Sequence, residues 1–237
     1  MINKYEKKKG ILIQKKVTAT YILKSLRKDL KNEKGKICFS LAGLNIIIKN
    51  TDTIGITLQS WLKEYFNKKN YFYMQPSNTQ QFPDFFLDDD KPEEHMLEIK
   101  SFNYNRYPAF DIANFDSYCN ELKQKPYCLY ADYLIFGYTM NDGLISIQKI
   151  WLKKIWEITG TSKKYPLKLQ VKQNKIYNIR PNSNFKYDKE CVFKNETDFL
   201  KALLKTIKLE KGEKVAQKWK EEFYNNYEKY YHKNIIF

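Results

Sequence analysis

The sequence predicts an α+β (mixed α/β) fold, with a central mixed sheet flanked by helices and a helical extension toward the C-terminal end. Three observations predict it. Helix-like and strand-like segments follow one another in the order helix, strands, helix, strand, strand. With 237 residues, 43% of them hydrophobic and 16% aromatic, the chain can bury a sizeable core as one large domain. From residue 196 to 233 the pattern turns helical and heavily charged.

Taken in order, residues 15–31 place Val17, Tyr21, Leu23, Leu26 and Leu30 at roughly helical spacing. Residues 36–49 predict one strand or two short ones around Gly43. In 53–66, Leu58, Trp61, Leu62, Tyr65 and Phe66 follow the i, i+3, i+4, i+7, i+8 rule of an amphipathic helix. Gln59 falls at the edge of that stripe, and Glu64 points away from it. A short strand at 71–74 and a polar loop at 75–81 lead to two strand-like stretches, Phe82-Pro83-Asp84-Phe85-Phe86-Leu87 and Met96-Leu97-Glu98-Ile99-Lys100-Ser101-Phe102. An acidic, proline-containing turn at 88–94 separates them. Beyond lie a loop at 103–108, a helix at 111–125 and a buried strand at 130–140. The turn Asn141-Asp142-Gly143 leads into a strand at 144–148. A short aromatic helix at 149–158 and a hairpin of 167–171 with 175–179 complete the core.

The two strand-like stretches carry the chemistry. Side chains alternate along a strand, so Glu98 and Lys100 share a face, as do Phe82, Asp84 and Phe86. Paired as a hairpin, the strands bring Asp84 and Glu98 together with Lys100 beside them. Two converging carboxylates repel and ask for a cation, and oxygen donors favour Mg²⁺ or Mn²⁺ over zinc. A lysine next to such an ion can position water or offset charge on a phosphate, which equips the site for metal-assisted phosphodiester cleavage. A solvated hairpin would carry similar charges, but Phe85, Leu87, Leu97 and Ile99 alternate with the polar groups as anchors in a core.

Charge and composition narrow the class. A formal net charge of +15 predicts a polyanionic partner, nucleic acid first, although an abundance of Lys, Asn, Ile and Tyr also reflects compositional bias. Cys38, Cys119, Cys128 and Cys191 form no CxxC pair and predict reduced thiols. Two histidines, His95 and His232, leave little room for a histidine-metal nuclease or a serine–histidine triad. The first nine residues lack the apolar core of a signal peptide, and 46–48 is too short to cross a bilayer, so the expectation is a cytoplasmic protein without a membrane partner.

The order helix, Pro-Asp strand, Glu-x-Lys strand, helix, strand resembles the PD-(D/E)XK nuclease superfamily. Longer stretches are more specific: Gln80-Gln81-Phe82-Pro83-Asp84-Phe85-Phe86-Leu87, Glu98-Ile99-Lys100-Ser101-Phe102, Ala131-Asp132-Tyr133-Leu134-Ile135-Phe136-Gly137-Tyr138, and Leu167-Lys168-Leu169-Gln170-Val171-Lys172 with Ile176-Tyr177-Asn178-Ile179-Arg180-Pro181. Together they resemble type II restriction endonucleases of the NgoBV family, over roughly residues 40–185. The resemblance implies a restriction-endonuclease-like core within a single nuclease domain spanning 1–237, the catalytic core at about 40–185 and a helical region at about 195–233. It implies a Mg²⁺-dependent homodimer, with Mn²⁺ as a substitute, that cuts both strands of DNA at GGNNCC, and a cognate DNA methyltransferase as its genetic partner. Asp84 and Glu98 match the family's metal-binding acids and Lys100 its lysine, with the backbone of Ile99 as a further ligand. Where many superfamily members place a glutamate on the preceding helix, this chain offers Gln59, which could bind through its amide oxygen but adds no charge.

Base reading is the remaining task. The chain has only three arginines, Arg27, Arg106 and Arg180, among 42 basic residues, and an arginine fork matches guanine O6 and N7. Arg27 is expected to be structural. Arg106 and Arg180, with Asn182 or Lys172 assisting, are the candidates, each weighed against an ordinary salt bridge or turn. The candidate dimer interfaces are helical, at 15–31 or in the C-terminal region. Two other functions remain open: a non-catalytic basic nucleic-acid-binding protein with a structural acidic pair, and a repair or recombination nuclease on the same scaffold.

Overall fold

The computed structural model describes residues 14–78 and 81–237. The expectations for the first nine residues and for Gln80 lie outside the described residues. Helices are α1 (Ala19–Asp29), α2 (Ile54–Lys69), α3 (Phe115–Gln124), α4 (Ile155–Ile158), α5 (Glu196–Lys211) and α6 (Glu213–Tyr231). Strands are β1 (Lys34–Gly35), β2 (Ile37–Leu41), β3 (Leu44–Ile48), β4 (Phe85–Phe86), β5 (Met96–Asn103), β6 (Ala113–Asn114), β7 (Asp132–Asn141), β8 (Leu144–Lys153), β9 (Leu169–Lys172) and β10 (Lys175–Ile179). The chain divides into two compact units, one of residues 1–101 with 134–152 and one of 102–133 with 153–237.

The first unit holds a five-stranded sheet in the order β1-β8-β7-β5-β4. Helix α1 starts at Thr18, whose hydroxyl accepts the Tyr21 N–H, and it buries Ala19, Ile22, Leu23 and Leu26. Tyr21, expected on the buried stripe, is 43% exposed, because Ile22 occupies the inward position. Helix α2 buries Ile54, Leu62, Tyr65 and Phe66 and ends at Asn70, whose left-handed backbone (φ 56°) suits asparagine. These faces meet Phe85, Leu87, Leu97, Ile99, Leu134 and Phe136 in one apolar cluster. Thus the sheet residues alternating with Glu98 and Lys100 are core anchors, as the pattern predicts.

Two local expectations change here. The stretch 71–74 forms only isolated bridges, Tyr71 with Lys15 and Met74 with Phe86. Residues 149–153 continue strand β8 rather than starting a helix, since Ile150 and Trp151 are buried in the extended strand. Only Ile155–Ile158 is helical there. Between β7 and β8, Asp142 and Gly143 both have positive φ (48° and 80°), the backbone that favours Asp-Gly in a two-residue hairpin turn. A Cβ at Gly143 would stand 2.6 Å from Ile47 Cγ2, so the turn requires glycine twice over.

In the second unit a three-stranded sheet, β6-β10-β9, accompanies α3, α5 and α6. Helix α3 begins at residue 115 instead of 111, because Ala113 and Asn114 pair with Ile179 and Asn178; Asn114 then caps the helix through the Ser117 N–H. The charged C-terminal stretch is two helices parted at Gly212 (φ 89°). Trp219 on α6 stacks on Phe223 and donates its indole N–H to the Cys119 carbonyl at 2.7 Å. All four cysteines are free, and Cys119 and Cys128 are buried. No helix among the described residues is long and apolar enough to cross a membrane.

Candidate active site

The first unit builds the site from α2, the segment entering β4, and β5. Strands β4 and β5 pair antiparallel, Phe85 opposite Leu97 and Phe86 opposite Met96. Phe85 and Leu97 are fully buried, which fixes the register and turns the alternate residues to the other face. Asp84 is the residue just before β4. Its Oδ2 accepts the Ile99 main-chain N–H at 2.7 Å, and its own N–H donates to Glu98 Oε2 at 3.2 Å. The two acids are therefore interlocked through each other's strands. Lys100 Nζ lies 2.9 Å from Glu98 Oε1, with only 18% and 12% of the two side chains exposed.

Gln59, at the edge of the α2 stripe, reaches the same place: its amide donates to Asp84 Oδ1 at 2.8 Å. Gln75, which the sequence did not single out, donates to the Asp84 carbonyl at 3.3 Å. Burial pushes the Asp84 carboxyl up, to about 7, and the neighbouring Glu98 charge adds to it. The Ile99 N–H, Lys100 and Gln59 pull it back down. Two crowded carboxyl groups in a half-buried setting, one of which resists ionising alone, are a donor set that fits a hard divalent cation.

A second acidic group, Asp88, Asp89 and Asp90, gathers its carboxylates within 4.8 Å of one another. Lys16 stands among them and forms ion pairs with all three, 2.9 Å from Asp88 and 2.6 Å from Asp89. The lysine ammonium already supplies the positive charge that this turn needs.

A model of the NgoBV restriction endonuclease family matches residues 16–237. The chain belongs to the NgoBV family of type II restriction endonucleases. Its match reaches well beyond the span 40–185 on which the likeness was visible. Among curated relatives, the type II restriction enzyme NlaIV of Neisseria lactamica is 37% identical over 226 residues, 93% of each chain. The type II restriction enzyme NgoBV of Neisseria gonorrhoeae is 35% identical over 161 residues, 67% of this chain and 91% of that one. The solved structure of the NlaIV restriction endonuclease superposes with a TM-score of 0.86 at 36% identity, over 94% of this chain and 93% of the other. The α+β fold expected from the sequence is thus the fold of an NgoBV-family enzyme.

The base-reading candidates all lie in the second unit. Arg106 is exposed in the loop after β5. Lys172 is exposed at the end of β9, its ammonium 4.7 Å from the centre of the Tyr177 ring. Arg180 is engaged: its guanidinium pairs with Asp111 and donates to the Ala109 carbonyl at 2.7 Å. Asn182 is 7% exposed, its amide donates to the carbonyls of Thr159 (2.8 Å) and Glu157 (3.3 Å), and its oxygen accepts the Asn184 N–H. Arg27, in the first unit, donates to the Ile150 carbonyl through Nε and Nη2, the structural role expected of it.

Lys186 is a residue that sequence reasoning passed over. It is 9% exposed, donates to the carbonyls of Tyr104 (2.6 Å) and Arg106 (3.1 Å), and sits 4.9 and 5.0 Å from the rings of Tyr104 and Tyr187. A buried ammonium held this way ties down the loop that carries Arg106. In a chain with 42 basic residues, no sequence signal separates this lysine from the rest.

Proposed function

We propose that the chain is a Mg²⁺-dependent, site-specific endonuclease that makes double-strand breaks in DNA, with Asp84 and Glu98 as metal ligands and Lys100 as the water-positioning or charge-offsetting group. One observation supports this reading above others: Asp84, Glu98 and Lys100 interlock within hydrogen-bond reach, in a chain of the restriction endonuclease family. Asp84 and Glu98 would hold the ion, with Gln59 turning its amide oxygen inward and the backbone of Ile99 as a further donor. When bound, Mg²⁺ (or Mn²⁺) supplies charge neutralisation and polarisation of the scissile phosphate. The chain's own groups do the rest. Glu98 keeps the Lys100 ammonium in place beside the carboxylates, where it can hold a water against the phosphorus or donate to a phosphate oxygen. Asp84 is held by the Ile99 N–H, which fixes its second oxygen without using a side chain.

For base reading, Arg106 and Lys172 are the members of the candidate set whose side chains are open to solvent. Arg180 and Asn182 support the reading indirectly, by holding the segments around Ala109 and Thr159. The recognition sequence GGNNCC rests on the family resemblance alone, as do a homodimer, a cognate methyltransferase and a cytoplasmic setting. A plasmid digest tests the proposal. Discrete bands with Mg²⁺, absent with a chelator, are expected. Metal-dependent cleavage without defined bands would instead favour a structure-specific nuclease, and binding without cleavage a non-catalytic protein.

A further inference from the structure

The segment 104–111, which follows β5 directly, is neither helix nor strand, yet its backbone is braced at both ends. Near its start the Arg106 N–H donates to the Asn103 carbonyl at 2.9 Å, and the buried Lys186 ammonium holds the carbonyls of Tyr104 and Arg106. Near its end Arg180 holds the Ala109 carbonyl and the Asp111 carboxylate, and the Ile112 N–H donates to the Ile179 carbonyl at 3.0 Å. Phe110 packs against Phe102 and Phe185, with ring centres 6.2 and 6.4 Å away. Between these braces stands Tyr107, 74% exposed and the most open tyrosine among the described residues. Pro108 behind it is buried, and a residue before proline is confined to extended backbone. Tyr177 and Tyr187, the next most open, each have a lysine ammonium over the ring. Among the described residues no ring or ammonium covers Tyr107. A large ring is thus held in water on a backbone that cannot yield.

We propose that Tyr107 is a wedge on the DNA, its ring pressed into a base step beside the contact made by Arg106. The inference rests on the endonuclease reading, which supplies the duplex. Three observations favour DNA as what the ring meets. The neighbouring Arg106 is an exposed cation, whereas Arg27 and Arg180 are spent on carbonyls and a carboxylate within the chain. The chain carries +15, which draws a polyanion and repels a second copy. The stretch from Lys100 to Tyr107 is too short to span one turn of a duplex, so a scissile phosphate at Lys100 keeps Tyr107 within reach of the same turn. The braces explain why the ring acts as a wedge. Parting two stacked bases is uphill, and a loose loop would bend away before the bases did. Fixing the loop in advance also spares the complex the entropy of ordering it. Lys186 and Arg180 are the positioning residues that hold the wedge.

The test uses the full chain, metal-free, with a short duplex carrying GGNNCC and a dye at each end. Wild type, Tyr107→Ala and Tyr107→Phe are compared for affinity and for end-to-end energy transfer, which reads the bend. Wild type and Tyr107→Phe should bind alike and draw the dyes together. Tyr107→Ala should bind about 5- to 150-fold more weakly, the scale of one base–aromatic stack, and leave the duplex straighter. Its slope of log affinity against log salt should match wild type, because no phosphate contact is lost. Tyr107→Ala with wild-type affinity and bend overturns the proposal, as does a wild type that leaves the duplex straight. If Tyr107→Phe fails like Tyr107→Ala, the hydroxyl and not the ring is the contact, and the wedge is refuted. Wild-type affinity with a lower mass in solution would assign Tyr107 to a protein contact and refute it too. Binding is measured without metal, so a chain that binds and bends the duplex but never cuts it contradicts the endonuclease reading alone.

Discussion

The side-chain amide of Gln59 lies 2.8 Å from Oδ1 of Asp84, so helix α2 contributes a neutral group to the carboxylate pair. A glutamine here spares the metal-free protein a third carboxylate beside Asp84 and Glu98, and gives up attraction for the ion. Gln59→Glu is therefore expected to cost about 1–3 kcal/mol of stability without metal. It should also tighten Mg²⁺ or Mn²⁺ binding. Denaturant melts and calorimetric metal titration check both. A variant that is equally stable and binds metal no better would remove Gln59 from the site.

Asp84 also makes a pH prediction. Its carboxyl is raised to about 7 in the fold, chiefly by burial and then by Glu98, while an unfolded aspartate titrates near 4. The folded state therefore holds this proton more tightly. The stability it confers is full below pH ~4, declines as pH rises, and is gone above about 7. Asp29, Asp88 and Asp89, lowered first by their lysine partners, act with the opposite sign and at more acid pH. Asp84→Asn isolates the Asp84 contribution, because an amide keeps the Ile99 bond if Gln59 rotates its own amide to accept. Metal-free wild type should lose stability relative to Asp84→Asn between these limits, seen as diverging melting temperatures. Parallel curves would contradict it.

The arginines and Asn182 separate reading from support. Arg106→Ala should relax cleavage at singly substituted sites by ~1–3 kcal/mol with little change in melting temperature. Asn182→Ala should do the reverse, losing about 1–3 kcal/mol of stability because the Thr159 and Glu157 carbonyls lose a donor. Arg180→Ala is expected to follow Asn182, given its Asp111 pair. Cleavage at near-cognate duplexes and thermal melts, measured together, decide each case. Loss of selectivity in Asn182→Ala with full stability would return that residue to the base-reading set.

Much of the site was legible because it is local. Period-two alternation anchors Phe85, Leu87, Leu97 and Ile99 in the core, which turns Glu98 and Lys100 to the opposite side; helical periodicity brings Gln59 to the same point. What the sequence hid depends on distant partners. The β8 strand through Trp151 is decided by pairing with β7, not by the local run 149–153. The start of α3 is decided by Ala113 and Asn114 joining β10. For Arg180 and Asn182 the sequence leaves base reading and a structural role both open, because the partners that engage them, Asp111 and Thr159, lie far along the chain. Lys186 is invisible for a related reason, since its value lies in two carbonyls some 80 residues away.

The central claim is that Asp84, Glu98 and Lys100 carry metal-dependent cleavage. The direct measurement is cleavage of plasmid DNA at saturating Mg²⁺ by wild type, Asp84→Asn, Glu98→Gln and Lys100→Met, with duplex binding measured alongside. The account predicts discrete bands from wild type and a loss of at least about 10²-fold in rate for each variant, the scale of removing a catalytic group. Duplex binding should persist, because it comes from the surface lysines. Wild-type cleavage by Asp84→Asn or Glu98→Gln would contradict the assignment and place the active centre elsewhere in the chain.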